Sequence, residues 1–328
     1  MAIGRKALVI GINSYPSGNE LHGCVNDAIK ISEMLERNGD NSMNFDVLTK
    51  TDILDSRSAI DLIEGLFSGD QEIALLYFSG HGYADENGAQ IVFPNDVTNG
   101  SYCIGIKMSD ILSIVNKSKV RNKIIILDCC HSGLMGQSDV SDSNSHLSSG
   151  VSILTACKGN ESAVEYDGCG MFTSVLLEAL NGGAADFSGN ITVGGIYAYI
   201  DRTFGAWQQR PVFKTNVTEF TPIRTIAPKV SLDIIRELTT LFEDSYAQFS
   251  LDPSFEETNT PNIEHKVIKP YAVDNNVTKF KTLQKLQSIG FVEPVGEDFM
   301  YFAAMNSKAC QLTPLGRYYW TLVKGKKI

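Results

Sequence analysis

Glu72-Ile73-Ala74-Leu75-Leu76-Tyr77-Phe78 runs directly into Ser79-Gly80-His81-Gly82, and Lys123-Ile124-Ile125-Ile126-Leu127 runs into Asp128-Cys129-Cys130-His131. Both are unbroken apolar stretches of strand length that stop abruptly at small, polar and reactive residues. An alternating pattern would mark a half-buried strand, whereas continuous runs predict strands covered on both faces, as in a parallel sheet between helices. Working outward, residues 6–12 (KALVIGI) read as another buried strand. Residues 45–48 and 151–156 read as two more. Between them, residues 26–37, 56–67, 109–115, 171–180 and 192–204 carry apolar positions at helical spacing; in the first, Ala28, Ile29, Ile31, Met34 and Leu35 form the stripe. Strands alternating with helices over some 200 residues predict an α/β fold with a mainly parallel sheet flanked by helices.

The chain has 328 residues, 43% hydrophobic and 20% charged, with a formal net charge of −10. Such a length suits two domains. The charge is unevenly divided: residues 229–328 hold 12 basic and 12 acidic side chains, leaving 16 basic and 26 acidic on residues 1–228. That acidic excess disfavours nucleic acid and anionic membranes as partners and favours basic peptides. No stretch approaches the roughly 20 apolar residues that span a bilayer. The apolar N-terminus runs into a strand pattern without a cleavage site, so a cytoplasmic location is expected. Seven scattered cysteines without CxxC spacing fit reduced thiols and no zinc site.

Active sites of open parallel sheets gather at the carboxyl ends of the strands. If the 72–78 and 123–127 strands are neighbours, His81 and Cys130 face each other there. A thiol beside an imidazole that can take its proton is the pair cysteine hydrolysis requires. Backbone N–H groups of Gly82 and Cys130 would stabilise the oxyanion of a tetrahedral intermediate. Cys129 competes with Cys130 for the nucleophile role, but alternation along a strand turns it to the opposite face. His22 and His131 read as structural, and Cys157 and Cys169 as core.

The segments Tyr77-Phe78-Ser79-Gly80-His81-Gly82 and Leu127-Asp128-Cys129-Cys130-His131-Ser132-Gly133 resemble the histidine and cysteine motifs of caspase-like peptidases, nearest the metacaspase branch with its Asp-x-Cys-His-Ser-Gly. ALVIGINSY at 7–15, LHGCVNDA at 21–28, Thr155-Ala156-Cys157, Ala163-Val164-Glu165 and Met171-Phe172-Thr173 extend the resemblance across residues 6–213. It implies a cysteine endopeptidase with Cys130 as nucleophile and His81 as base. The substrate-binding positions of metacaspases, which cut after Arg or Lys, fall on Cys24, Asp27, Ser79 and Asp128. A carboxylate pair there selects a guanidinium or ammonium by charge and geometry. Taken alone, Asp27 reads as a helix-start residue and Asp128 as a strand terminator. Calcium-dependent metacaspases carry an acidic pair where this chain reads Met108-Ser109-Asp110. Asp96 and Asp110 remain as candidate calcium ligands, but hard-cation sites usually need more carboxylates and carbonyls, so no metal or cofactor is expected. Residues 134–150 read as a surface loop without Lys or Arg, so an enzyme of this specificity would stay a single uncleaved chain, and a monomer is expected.

The expected domains are a caspase-like peptidase domain, residues 1–224, and a C-terminal regulatory or sensor domain, residues 225–328. In the second, 227–248 reads as a long amphipathic helix and 252–270, with three prolines, as a linker. Residues 278–289 read as a helix, 291–295 and 300–305 as a hairpin, and 312–323 as a closing helix. Together these give a small α+β, winged-helix-like unit. Residues 278–328 carry 8 basic and 3 acidic residues without a basic run along one helix, which favours a regulatory partner or small-molecule activator over DNA. The rival readings are a catalytically silent caspase-like scaffold and a DNA-binding regulator.

Overall fold

A computed structural model describes residues 4–16, 18–85, 88–98, 101–102, 105–129, 147–156, 165–166, 169–204, 211–261 and 267–328. The chain divides into two compact units, Met1–Ala227 and Pro228–Ile328.

The first unit is built on six strands: β1 (Arg5–Gly11), β2 (Asp46–Thr51), β3 (Ile73–Ser79), β4 (Asn122–Asp128), β5 (Val151–Thr155) and β6 (Val212–Asn216). They lie in the order β6-β5-β4-β3-β1-β2, parallel throughout except for β6, which runs antiparallel to β5. The two apolar runs that end in reactive residues are the central neighbours β3 and β4, and every residue of β3 is buried. Register carries the consequence: Gly11 pairs with Ser79, and Ser79 with Asp128, so three strands end side by side.

Helices cover both faces, as continuous apolar strands demand. On one face α1 (Cys24–Glu36), α4 (Met171–Glu178) and α5 (Val193–Thr203) pack Ala28, Ile31, Leu35, Leu176 and Ile196 against Val9, Leu75, Tyr77 and Ile126. On the other, α2 (Ser56–Phe67) and α3 (Met108–Lys117) pack Ile63, Leu66, Ile111 and Leu112 against Leu8, Leu76, Phe78 and Ile125. Buried aliphatic side chains of this size contribute about 1.5–3 kcal/mol each. Helix α2 opens on Asp55, whose carboxylate accepts the Ser58 N–H at 2.8 Å, an N-cap. Helix α1 comes so close to β1 that a Cβ on Gly11 would strike the Cys24 carbonyl. That approach brings the first turn of α1 to the strand ends.

In the second unit β7 (Gln248–Ser250), β8 (Val292–Val295) and β9 (Ala309–Leu312) form an antiparallel sheet in the order β7-β9-β8. Around its core sit α8 (Asp274–Ser288) and α10 (Pro314–Lys324), close to two of the expected helices. Two expectations fail. Residues 227–248 are not one helix but two short ones, α6 (Leu232–Arg236) and α7 (Leu238–Leu241). The helical spacing was real, since Ile235, Leu238 and Phe242 are all buried, but Phe242 is already extended. Residues 300–305 are a helix, α9 (Met300–Met305), rather than the second strand of a hairpin; β9 takes that place. Its buried residues Met300, Ala303 and Ala304 keep i, i+3, i+4 spacing, a pattern too short to separate from a strand by eye.

Candidate active site

His81 stands two residues beyond β3 and is held from three directions. Its backbone N–H donates to the Tyr15 hydroxyl at 2.9 Å, and that hydroxyl donates to the buried Val92 carbonyl at 2.9 Å. The Tyr15 ring meets the imidazole edge-on, with centroids 4.4 Å apart. Nε2 lies 2.7 Å from the Asn19 carbonyl oxygen. A carbonyl can only accept, so Nε2 carries the hydrogen and the neutral ring presents its lone pair at Nδ1. Burial lowers the imidazole pKa below its ordinary 6.5, and the Asn19 carbonyl partly offsets this.

The loop that presents Asn19 is itself tied down. Asp52 Oδ1 accepts the N–H groups of Asn13 and Ser14 at 2.8 and 2.9 Å. The Asn13 side chain then accepts from the Val25 N–H at the start of α1 and donates to the His22 carbonyl. One loop therefore sets both the imidazole and the entry to α1.

Beside His81 opens a cavity of about 160 Å³, lined among others by Cys24 and Asp27 of α1, Ser79 of β3, His81, Asp128 of β4, and Gly170. All four sequence-predicted substrate-binding residues thus face one space. It is smaller than the about 300–1,000 Å³ of a drug-sized site and suits a single side chain. Asp27 is 1% exposed and Asp128 6% exposed, so its floor is a pair of buried carboxylates. Asp27 lies in the first turn of α1 and Asp128 ends β4, as their bland readings required, yet both reach the same cavity. His22, read as structural, also lines its wall.

Three residues without a sequence-stated role support the carboxylate pair, Gly170 within the lining and Thr173 and Tyr77 outside it. Gly170 donates its N–H to Asp27 Oδ2 at 3.1 Å. A Cβ on it would stand 2.6 Å from Asp128 Oδ2 and 3.3 Å from Asp27 Oδ2, so any other residue would fill the space between the carboxylates. Thr173, in the first turn of α4, donates to Asp128 Oδ2 at 2.6 Å, and its oxygen lies 2.5 Å from the Tyr77 hydroxyl. Gly170-Met171-Phe172-Thr173 could have been noticed as a glycine preceding a helix start, but nothing local reveals what it meets.

Cys130 lies outside the described residues, as do His131 and Cys157 and all of the expected loop except 147–150. Its neighbour Cys129 is 1% exposed and packs in the core layer of Phe78 and Leu127, on the face away from the cavity. Gly82 begins a short strand, Gly82–Asp85, paired with Gly88–Ile91. Asp96 accepts the Ser56 hydroxyl and the Phe93 N–H, and among the described residues no three His, Cys, Asp or Glu side chains cluster as a metal site. No described helix is long and apolar enough to cross a membrane.

The family model for the caspase domain, Peptidase C14, matches residues 4–219, nearly all of the first unit. The chain belongs to the caspase-domain family. Metacaspase-1 of Meyerozyma guilliermondii is 30% identical over 147 residues, covering 39% of this chain and 35% of that protein. Metacaspase-4 of Arabidopsis thaliana is 34% identical over 147 residues, covering 39% and 34%. The chain thus spans only about a third of the length of these relatives. A Geobacter sulfurreducens protein of known crystal structure, 17% identical, superposes with a TM-score of 0.50 over 68% of this chain and 99% of its own, a likeness of fold.

Proposed function

We propose that this caspase-domain protein is a cysteine endopeptidase that cleaves after Arg or Lys, with Cys130 as nucleophile and His81 as base. The observation that carries the reading is the buried Asp27–Asp128 pair, in one cavity with Ser79 and Cys24 and walled by His81. Two carboxylates in a narrow apolar-walled space bind a long side chain with a cationic tip and reject an acidic one.

In this mechanism Nδ1 of His81 takes the Cys130 thiol proton, and the sulfur attacks the carbonyl carbon of the bound Arg or Lys. The N–H groups of Gly82 and Cys130 receive the developing oxyanion. The imidazolium returns its proton to the leaving amine, giving a thioester. Water, deprotonated by the same imidazole, then releases the acid and regenerates the thiol. Asn19 and Tyr15 hold the ring through both transfers.

The second unit is proposed as a sensor. We read it as winged-helix-like because it joins a small antiparallel sheet to helices, and it lies beyond the matched residues. Its partner would be a protein or small molecule rather than DNA. The main test uses fluorogenic peptides ending in Arg, Lys or Asp, with and without calcium. Wild type should cleave the Arg and Lys peptides. Cys130→Ala should lose at least about 1,000-fold, and Asp128→Ala should weaken turnover of Arg peptides by roughly 30-fold or more, the scale of an unpaired buried charge partner. Cleavage after Asp would spare the dyad and overturn the pocket.

A further inference from the structure

The hydroxyls beneath the cavity have a direction that proton counting fixes. Thr173 has one hydroxyl hydrogen and gives it to Asp128 Oδ2 at 2.6 Å. The 2.5 Å contact between Tyr77 and Thr173 must then be a donation from the phenol. Both hydroxyl hydrogens therefore point the same way, from Tyr77 through Thr173 to Asp128. Tyr77 and Thr173 are both fully buried, so water does not interrupt the relay.

We propose that Thr173 and Tyr77 are positioning residues that act through this one-way relay to orient Asp128 and hold it as the carboxylate that reads the substrate cation. The inference rests on the Arg/Lys reading of the cavity and adds to it residues that do not line it. A proton on Asp128 Oδ2 would have to be donated to Thr173, and both hydroxyls would then need to turn round. The relay and the charge therefore stabilise each other, since hydrogen bonds to a charged form favour it. Tyr77 is suited to the far end: burial first, then Asp128 and Asp27, push its phenol well above its ordinary pKa, so it stays a donor. Gly170 supplies the matching arm on the other side, giving its N–H to Asp27.

The test compares the full chain with Thr173→Val, Thr173→Ser and Tyr77→Phe on an Arg-terminated peptide across pH, with melting temperatures alongside. Thr173→Val keeps the shape and removes the donor. It should raise KM about tenfold, the scale of a lost hydrogen bond to a charged group, with kcat within about twofold. Its affinity should also fail at higher pH on acidification, because Asp128 then holds its proton more readily. Among the described residues, the other titratable groups around the cavity are Asp27, Cys24, Glu20, His22, Tyr77 and His81. They are common to wild type and Thr173→Val, so the difference isolates the relay. Thr173→Ser should restore both values. Tyr77→Phe should shift them in the same direction by less, and it carries the test if Thr173→Val does not fold. Folded Thr173→Val and Tyr77→Phe proteins with wild-type KM and acid limb would overturn the relay while leaving the pocket intact. A wild type that ignores Arg and Lys peptides would overturn the pocket and the relay with it.

Discussion

The imidazole of His81 is fixed between an edge-on phenol and a carbonyl oxygen, and its burial favours the neutral ring that a base must be. That has a consequence for stability, whose sign follows from linkage. As pH falls, His81 in the unfolded chain takes up a proton near the ordinary 6.5, while the folded side chain does so only lower. Between those two values the unfolded state binds more protons, so folding stability drops as pH falls through that window. Urea unfolding midpoints at about pH 7.5 and about pH 5.5 should therefore fall more in wild type than in His81→Gln. Parallel losses would mean that the folded ring protonates as easily as a free one, and the neutral-base argument would fail. At this scale His81 was legible because it follows an apolar run that stops at small residues. Asp27, Ser79 and Asp128 stand at element ends too, but only the resemblance to metacaspases gave them a pocket role. Tyr77 and Thr173 were not legible. One reads as a core aromatic and the other as a helix residue, and their meeting across 96 positions is decided by how α4 settles on β3.

Elements are held at the site by contacts of the same long reach. Helix α1 carries Cys24 and Asp27 in its first turn, yet its last turn has no basic residue to meet the helix dipole. Arg224, 9% exposed, supplies one from far along the chain. Its Nε donates to the carbonyls of Met34 and Arg37 at 3.1 and 3.0 Å, and its Nη1 to that of Leu180 at 2.6 Å. One guanidinium thus closes the end of α1 and the turn after α4, the two helices that bear the floor of the cavity. Arg224→Met keeps bulk and leaves those carbonyls without the cation, so it should cost about 2–3 kcal/mol, read as a lower urea midpoint. A change below about 0.5 kcal/mol would show that water replaces the clamp. The strands β1, β3, β4 and β5 were legible because double-sided burial writes itself as unbroken apolar runs. The antiparallel edge strand β6 was not, since its residues are only half-buried or exposed. In the second unit the misassigned α9 shows the same limit: six residues hold too few turns for a period to declare itself.

At the scale of the molecule, the acidic excess and the caspase-domain match both fall on the first unit, while residues 229–328 are electrically balanced. Each unit has its own core; in the second it includes Phe280, Leu283, Phe291, Met300 and Cys310, where burial pushes the Cys310 thiol up to about 12. A unit with two helix-covered core layers of its own should fold without its neighbour. Residues 1–227 expressed alone are therefore expected to melt cooperatively and to keep the Arg/Lys preference. If the second unit senses a signal, their basal turnover should differ from that of the full chain by at least about fivefold, a coupling of roughly 1 kcal/mol between units. The direction tells which way the control works: a rise means that the second unit restrains the peptidase, and a fall means that it completes it. Unchanged turnover would remove the sensor. Salt-dependent binding of duplex DNA by residues 228–328 would replace it with a nucleic-acid role, because counterion release would then supply the affinity that an uncharged ligand does not.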